Sequence, residues 1–344
     1  MLGGAWRSSD FSPVDISQHD LAEVTPLLCS SGVAALAWRR ISNTHLRESS
    51  SAEVLHQSYR LQSLQAAIQA EQIESVFRML RAASVEAILA KGWAASAFYT
   101  SRDLRPCGDI DIYVRPADFR IAQEVFRRPD VTDYLVDLHS DFAEINDRSI
   151  PEIFARSVVV RLGQEEIRLL GPEDHLALLC IHLLKHGAWR PLWLCDIAAA
   201  LESLPVTFDW NVFLGRDRKR TSWIGCAVGL AHRLLGARIA QLPLKVEQTE
   251  VPEWLIRGVL EQWSSLFPAE HLPIQPAPLM ANNLRTGRNI INGVVERWPD
   301  PITATFNLGG RFNNVPRLPY QLADFIALAT RYLYHLPAKL QSAR

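Results

Sequence analysis

The stretch "AILAKGWAASAFYTSRDLRPCGDIDIYVRP", Ala87 to Pro116, constrains the fold more than any other part of the chain. "GDIDIYV" alternates with period two, which in a strand sends Asp109, Asp111 and Tyr113 to one face and Ile110, Ile112 and Val114 to the other. The apolar face demands burial. The other carries two carboxylates that repel each other unless a cation sits with them or the strand is exposed. Upstream, "VEAILA" is a short apolar run closed by Lys91-Gly92, and the helix-friendly "WAASAFYT" follows it. Strand, glycine turn, helix and a second strand thus follow one another, the texture of an α/β sheet.

The neighbouring segments extend that sheet. "PADFRIAQEVFRR" reads as a helix starting at Pro116, with Phe119, Ile121, Val125 and Phe126 as its apolar positions. "YLVDLHSDF" is a further strand, with Asp137 and His139 on one face and Val136 and Leu138 on the opposite one. "SVVVRL" and "EEIRLL", separated by Gly163-Gln164, form a hairpin pattern. Both flanks read as helical. On the N-terminal side the helices cover about 17–41 and 52–84, the second with Leu55, Tyr59, Leu61, Leu64, Ile68, Ile73, Phe77 and Leu80 at spacings near three and four. From Pro172 onward the pattern is helical again, with a texture break in "HLPIQPAPLMANN". The expected fold class is α+β or α/β: a small mixed sheet at 85–170 between an N-terminal helical region, 1–84, and a C-terminal helical region, 171–344.

Composition narrows the function classes. With 344 residues, 48% hydrophobic and 21% charged, the chain can bury a large core. Its net charge of −1 gives no global basic field to drive it onto nucleic acid or an anionic membrane. The five cysteines are scattered, odd in number and without a C-x-x-C pair, which argues against a disulfide framework or zinc knuckle and for a cytoplasmic location. "MLGGAWRSSDFSPVD" has no basic segment followed by an apolar one, so no signal peptide is expected. The most apolar stretch is interrupted by His182, Lys185, His186, Arg190 and Pro191, which leaves no membrane-spanning helix.

Side chains at i and i+2 of a strand stand about 6.5–7 Å apart on one face, so Asp109 and Asp111 can converge on ions between or beside them. Phosphoryl and nucleotidyl transfer use such hard oxygen ligands to hold Mg²⁺ ions about 3.5–4 Å apart. Asp137 has the side-chain parity to supply a third carboxylate from a nearby strand. The turn at Lys91-Gly92 offers backbone N–H groups to triphosphate oxygens.

"KGWAASAFY", "RPCGDIDIYV", "VDLH" and "PEDHLALLCIHLLKH" followed by "LWLCDIA" resemble, in order and spacing, the uncharacterised nucleotidyltransferase family of the DNA polymerase beta-like nucleotidyltransferase superfamily. The upstream "LLCSSGVAALAWRRI" resembles that family's N-terminal helical stretch, and the resemblance runs from about Leu27 to Gly236. It implies a polymerase-beta-like core. It also implies Asp109 and Asp111 as metal ligands, Asp137 as the third carboxylate, ligand or base, and Gly92 as the phosphate-turn glycine. Lys91 and Arg105 resemble family residues near that turn. Trp93 stands where the superfamily's turn carries a second Gly or a Ser, and the interval from Gly92 to Asp109 is long.

The expected catalytic and metal set is therefore Asp109, Asp111 and Asp137, with Mg²⁺ or Mn²⁺. The expected nucleotide-binding set is Lys91, Gly92, Trp93, Arg105 and Lys185, with an NTP as substrate and an acceptor hydroxyl that the residues do not specify. Other readings stand beside these. Lys91 also fits a solvated strand end, Arg105 a partner for Asp103 or Asp109, and His139 a polar strand residue. His182 and His186 are four apart, as zinc ligands would be, but the intervening "LLK" lacks the Glu of H-E-x-x-H and no third ligand is spaced nearby. With Lys185 they read as residues lining or bracing a cleft beside the sheet. Asp196 reads as a brace between helices, "GRDRKR" as a solvated basic face, and "GCAVG" as tight helix packing. Two other function classes remain: a metal-dependent glycosyltransferase using Asp109-Ile110-Asp111, and a non-catalytic nucleotide-binding or interaction module.

Overall fold

In the computed structural model, the alternating run around Ile112 becomes the second of five strands among the described residues: β1 (Ala87–Ala90), β2 (Ile110–Val114), β3 (Val136–His139), β4 (Val158–Leu162) and β5 (Glu165–Leu169). The structure describes residues 1–9, 14–128, 134–240, 242–243, 249–266 and 298–341. The texture break at 271–283 lies outside the described residues. The strand order is β3-β2-β1-β5-β4. β1 runs antiparallel to β2 and parallel to β5, β2 runs parallel to β3, and β4–β5 is the expected hairpin, turning at Gly163 with φ 58°.

Ile110, Ile112 and Val114 enter one core with Ile73, Val76, Phe77 and Leu80 of helix α3 (Ser50–Ala82) and Ala122 and Val125 of α5 (Phe119–Phe126). Each of the Ile, Val, Leu and Phe side chains contributes about 1.5–3 kcal/mol when fully buried. This burial turns Asp111 and Tyr113 to the opposite face, as the parity of the strand requires.

The helices differ from the periodicity in three places. Residues 17–41 form two helices, α1 (Gln18–Ser30) and α2 (Ala34–Ile41), because Gly32 adopts φ 78° and closes the first. Ser17 and Asp20 make a reciprocal capping box at the start of α1. Pro116 lies in a turn ahead of α5, which begins only at Phe119. Along α3 the apolar series divides: Leu55, Ile73, Phe77 and Leu80 are buried, whereas Leu61, Leu64 and Ile68 are exposed by 68%, 61% and 42%. The short α4 (Gly92–Ala95) follows β1, and α6 (Ile150–Arg156) precedes the hairpin.

The C-terminal half is helical: α7 (Pro172–Lys185), α8 (Pro191–Glu202), α9 (Trp210–Leu214), α10 (Arg218–Leu235), α11 (Glu253–Trp263), α12 (Pro301–Asn307) and α13 (Leu318–Gln341). Two compact units result, one of 1–183 with 190–250 and one of 184–189 with 251–344. In the first, α10 packs on α8 with Gly225 and Gly229 buried, as "GCAVG" suggests. Within "GRDRKR", Arg216, Arg218 and Lys219 are exposed, but Arg220 donates to the Glu144 carbonyl and to Asn146 Oδ1. In the second unit Arg317 binds the carbonyls of Arg311, Asn313 and Val315 and lies over the rings of Trp254 and Tyr320. No helix among the described residues is long and apolar enough to cross a membrane.

Candidate active site

β1 hands the chain to the site through a strained residue. Lys91 has φ 49° and ψ −142°, a sparsely populated combination for a residue with a side chain, costing about 1–3 kcal/mol. Its backbone N–H donates to Nε2 of His175 on α7 at 3.1 Å. Burial, reinforced by the positive charge of Arg105, lowers the pKa of His175 to about 3, so the ring is neutral and Nε2 keeps its lone pair. Gly92 follows with φ 23°. A Cβ there would lie 3.3 Å from the Asp109 carbonyl oxygen and 3.8 Å from Asp111 Oδ2, so glycine lets the turn close on the start of β2.

Strand register then assembles the polar groups. Ala90 pairs with Asp111 across the antiparallel ladder, and Lys91 emerges beside that buried carboxylate, with Nζ 2.5 Å from Oδ1. In the parallel ladder Asp137 sits opposite Asp111 and His139 opposite Tyr113. His139 Nε2 is 3.0 Å from Asp137 Oδ2 and 3.4 Å from Asp111 Oδ1. Its ring stacks on Tyr113 at 4.4 Å between centroids, and Tyr113 stacks on Phe142 at the same separation. Asp109 precedes β2 and is exposed. Partial desolvation, and then the charge of Asp111, raise its pKa above the ordinary value.

One oxygen each from Asp111 and Asp137 and one ring nitrogen of His139 lie within 4.8 Å of one another, the convergent metal-capable group among the described residues. Two hard carboxylates with one imidazole fit Mg²⁺ or Mn²⁺, the nitrogen being better suited to Mn²⁺. Asp111 is the buried member and Asp137 the exposed one, so the group opens on the Asp137 side.

Of the residues expected from sequence, Lys91, Gly92, Asp111 and Asp137 come together here, while Asp109 brings its backbone carbonyl against Gly92 and its carboxylate lies outside the convergent group. Arg105 lies behind the turn, its Nη1 3.9 Å from where a Gly92 Cβ would be. Its guanidinium goes to Asp196 of α8 rather than to Asp103 or Asp109: Nη2 is 2.9 Å from Oδ2 and Nε 3.2 Å from Oδ1. Tyr99 donates to the same Oδ1 at 2.7 Å, and Asp103 accepts from Tyr59 and Ser63. Asp196 is thus a fully buried brace between α8 and the segment leading into β2. The Trp93 ring is buried in the core with Arg102 stacked 4.0 Å above it. Lys185, the last residue of α7, belongs to the second unit. His182 sets its ring edge-on to Trp193 at 4.8 Å. His139 is the residue that the sequence underrates. Its signal was its place two residues after Asp137, on the same strand face.

The family model described as uncharacterised nucleotidyltransferase matches residues 17–134 and 123–236, which cover the sheet, the site and the helices through α10. The chain belongs to this family. Neither the curated proteins nor the solved structures contain a match to it. Family membership makes it a nucleotidyltransferase, with an NTP as the implied substrate, and the mixed five-stranded sheet agrees with a polymerase-beta-like core.

Proposed function

We propose that the chain transfers an NMP group from an NTP to an acceptor hydroxyl in a reaction dependent on Mg²⁺ or Mn²⁺. The observation that carries this reading is the convergence of Asp111, Asp137 and His139 beside the Lys91-Gly92 turn. Asp109, Asp111 and Asp137 are the proposed ion-holding and catalytic set, with His139 beside them. When bound, the ions supply charge stabilisation for the attacking and leaving oxygens. Lys91 and the Gly92 turn receive the triphosphate, Arg105 supports the turn from behind, and Trp93 anchors it in the core. The exposed Asp137 faces the acceptor and orients or deprotonates its hydroxyl. The acceptor oxygen bonds to the α-phosphorus, the bond from that phosphorus to the bridging oxygen breaks, and pyrophosphate leaves. The acceptor is a small molecule, a sugar, a peptide or a protein, and the setting is cytoplasmic.

Incubation with each labelled NTP, Mg²⁺ or Mn²⁺ and a host lysate tests the reading. Label should move to one class of acceptor and stay unmoved with Asp111→Asn. Nucleotide should raise thermal stability mainly when the metal is present, because the triphosphate otherwise meets an acidic group without a divalent ion between them. Equal NTP affinity in excess chelator would overturn the metal-dependent reading.

A further inference from the structure

Lys91 is an unusual residue to place in a turn. Its φ and ψ suit glycine, yet the chain carries a long cationic side chain there and bears the strain. What the side chain gains is Asp111: Nζ lies 2.5 Å from Oδ1, with the side chains only 13% and 5% exposed. The face of Tyr113 lies 5.9 Å from the same ammonium. The backbone N–H is fixed on His175, so the turn is anchored while the four-carbon stem can still swing. Oδ1 of Asp111 also lies 3.4 Å from His139 Nε2, so the oxygen that takes the ammonium is the one that faces the metal-capable group. A divalent ion binding Oδ1 at about 2.0–2.6 Å and an ammonium on the same oxygen would place three positive charges almost in contact.

We propose that the Lys91 ammonium is a resident cation that holds the Asp111 subsite until a triphosphate draws it away, so that divalent ion and triphosphate load as a coupled pair. This rests on the metal-dependent reading above. In the structure Lys91 neutralises the buried Asp111 carboxylate, which also meets His139 Nε2 at 3.4 Å. An arriving triphosphate offers the ammonium a more highly charged partner, and its departure opens Oδ1 to the ion. The ion alone must compete with Lys91, and the triphosphate alone must pull Lys91 off a bare carboxylate. Each ligand therefore strengthens the other by the same factor.

The test uses Mn²⁺ and inorganic tripolyphosphate, so that no base preference enters. In wild type, the melting temperature should rise with both together and stay within error with either alone. In Lys91→Met, Mn²⁺ alone should raise it, and electron paramagnetic resonance titration should show Mn²⁺ bound about tenfold or more tighter than in wild type once the competing charge is gone. Lys91→Gly, which relieves the backbone strain, gives the same reading if the methionine variant folds poorly. Unchanged or weaker Mn²⁺ affinity in both Lys91 variants, with Asp111→Asn still abolishing binding, overturns the resident-cation proposal and leaves the metal site standing. Unchanged affinity in the Lys91 variants and in Asp111→Asn overturns both.

Discussion

Replacing Asp196 by alanine isolates the brace behind the Lys91-Gly92 turn. Asp196 is fully buried and accepts from Arg105 through two nitrogens and from the Tyr99 hydroxyl, and Arg105 is itself buried. Removing the carboxylate strands a guanidinium that cannot lose its proton, and breaking such a buried pair from one side costs about 3–5 kcal/mol. The Tyr99 hydroxyl loses its acceptor as well, which adds about 1–3 kcal/mol. Asp196→Asn should lose less, because the amide oxygen still accepts from Arg105 or Tyr99. A triple variant, Arg105→Met, Asp196→Leu and Tyr99→Phe, removes charge, acceptor and donor together and should recover most of the loss. Urea unfolding followed by circular dichroism measures all three, with the midpoint shift read at constant slope. A loss below about 1 kcal/mol in Asp196→Ala, the range of exposed ion pairs, would mean that the pair is effectively solvated and does not support the turn.

Asp137→Asn should change nucleotide affinity by less than about tenfold while lowering turnover about a hundredfold or more, whereas Asp109→Asn should weaken both. Steady-state kinetics with calorimetry separates the two, and turnover within about threefold of wild type in Asp137→Asn, with an unchanged fold, refutes its chemical role. His175 has a folded pKa lowered from 6.5 to about 3, so its contribution to stability is complete above about pH 6.5 and is lost as pH falls towards 3. The slope is about 1.4 kcal/mol per pH unit for the one proton. Melts of wild type and His175→Gln across that window should differ by one proton's slope, and parallel curves would show that the imidazole is not held neutral. Purified protein should carry far less than one zinc per chain by elemental analysis; a stoichiometric content would reopen His182 and His186 as ligands.

The sheet was legible because its alternation is local: "DIDIYV" alone separates the apolar face from the one that carries Asp111. Gly92 was legible for the same reason, since a glycine between a strand and a helix marks a close approach. The partner of Arg105 was not, because Asp196 lies 91 residues away and only the folding of α8 against the turn joins them. The neutral state of His175 was hidden too, since it follows from burial that no short window reveals. Periodicity found α3 as a helix but not its burial: Leu61, Leu64 and Ile68 continue the apolar spacing out of the core and into solvent. A repeat of three and four reports helical geometry without saying what covers each face.

β3 is an outer strand of only four residues, bonded among the described residues of the sheet to β2 alone, whereas β2 lies between β1 and β3. Opening β3 breaks one ladder; opening β2 breaks two and uncovers the aliphatic core. Local openings cost less where fewer buried contacts are lost, so Asp137 and His139 ride on a segment that detaches more readily than the one carrying Asp111. Amide exchange should accordingly be faster in β3 than in β2. On warming, the grouping of Asp111 with Asp137 and His139 should come apart before the rest of the sheet melts.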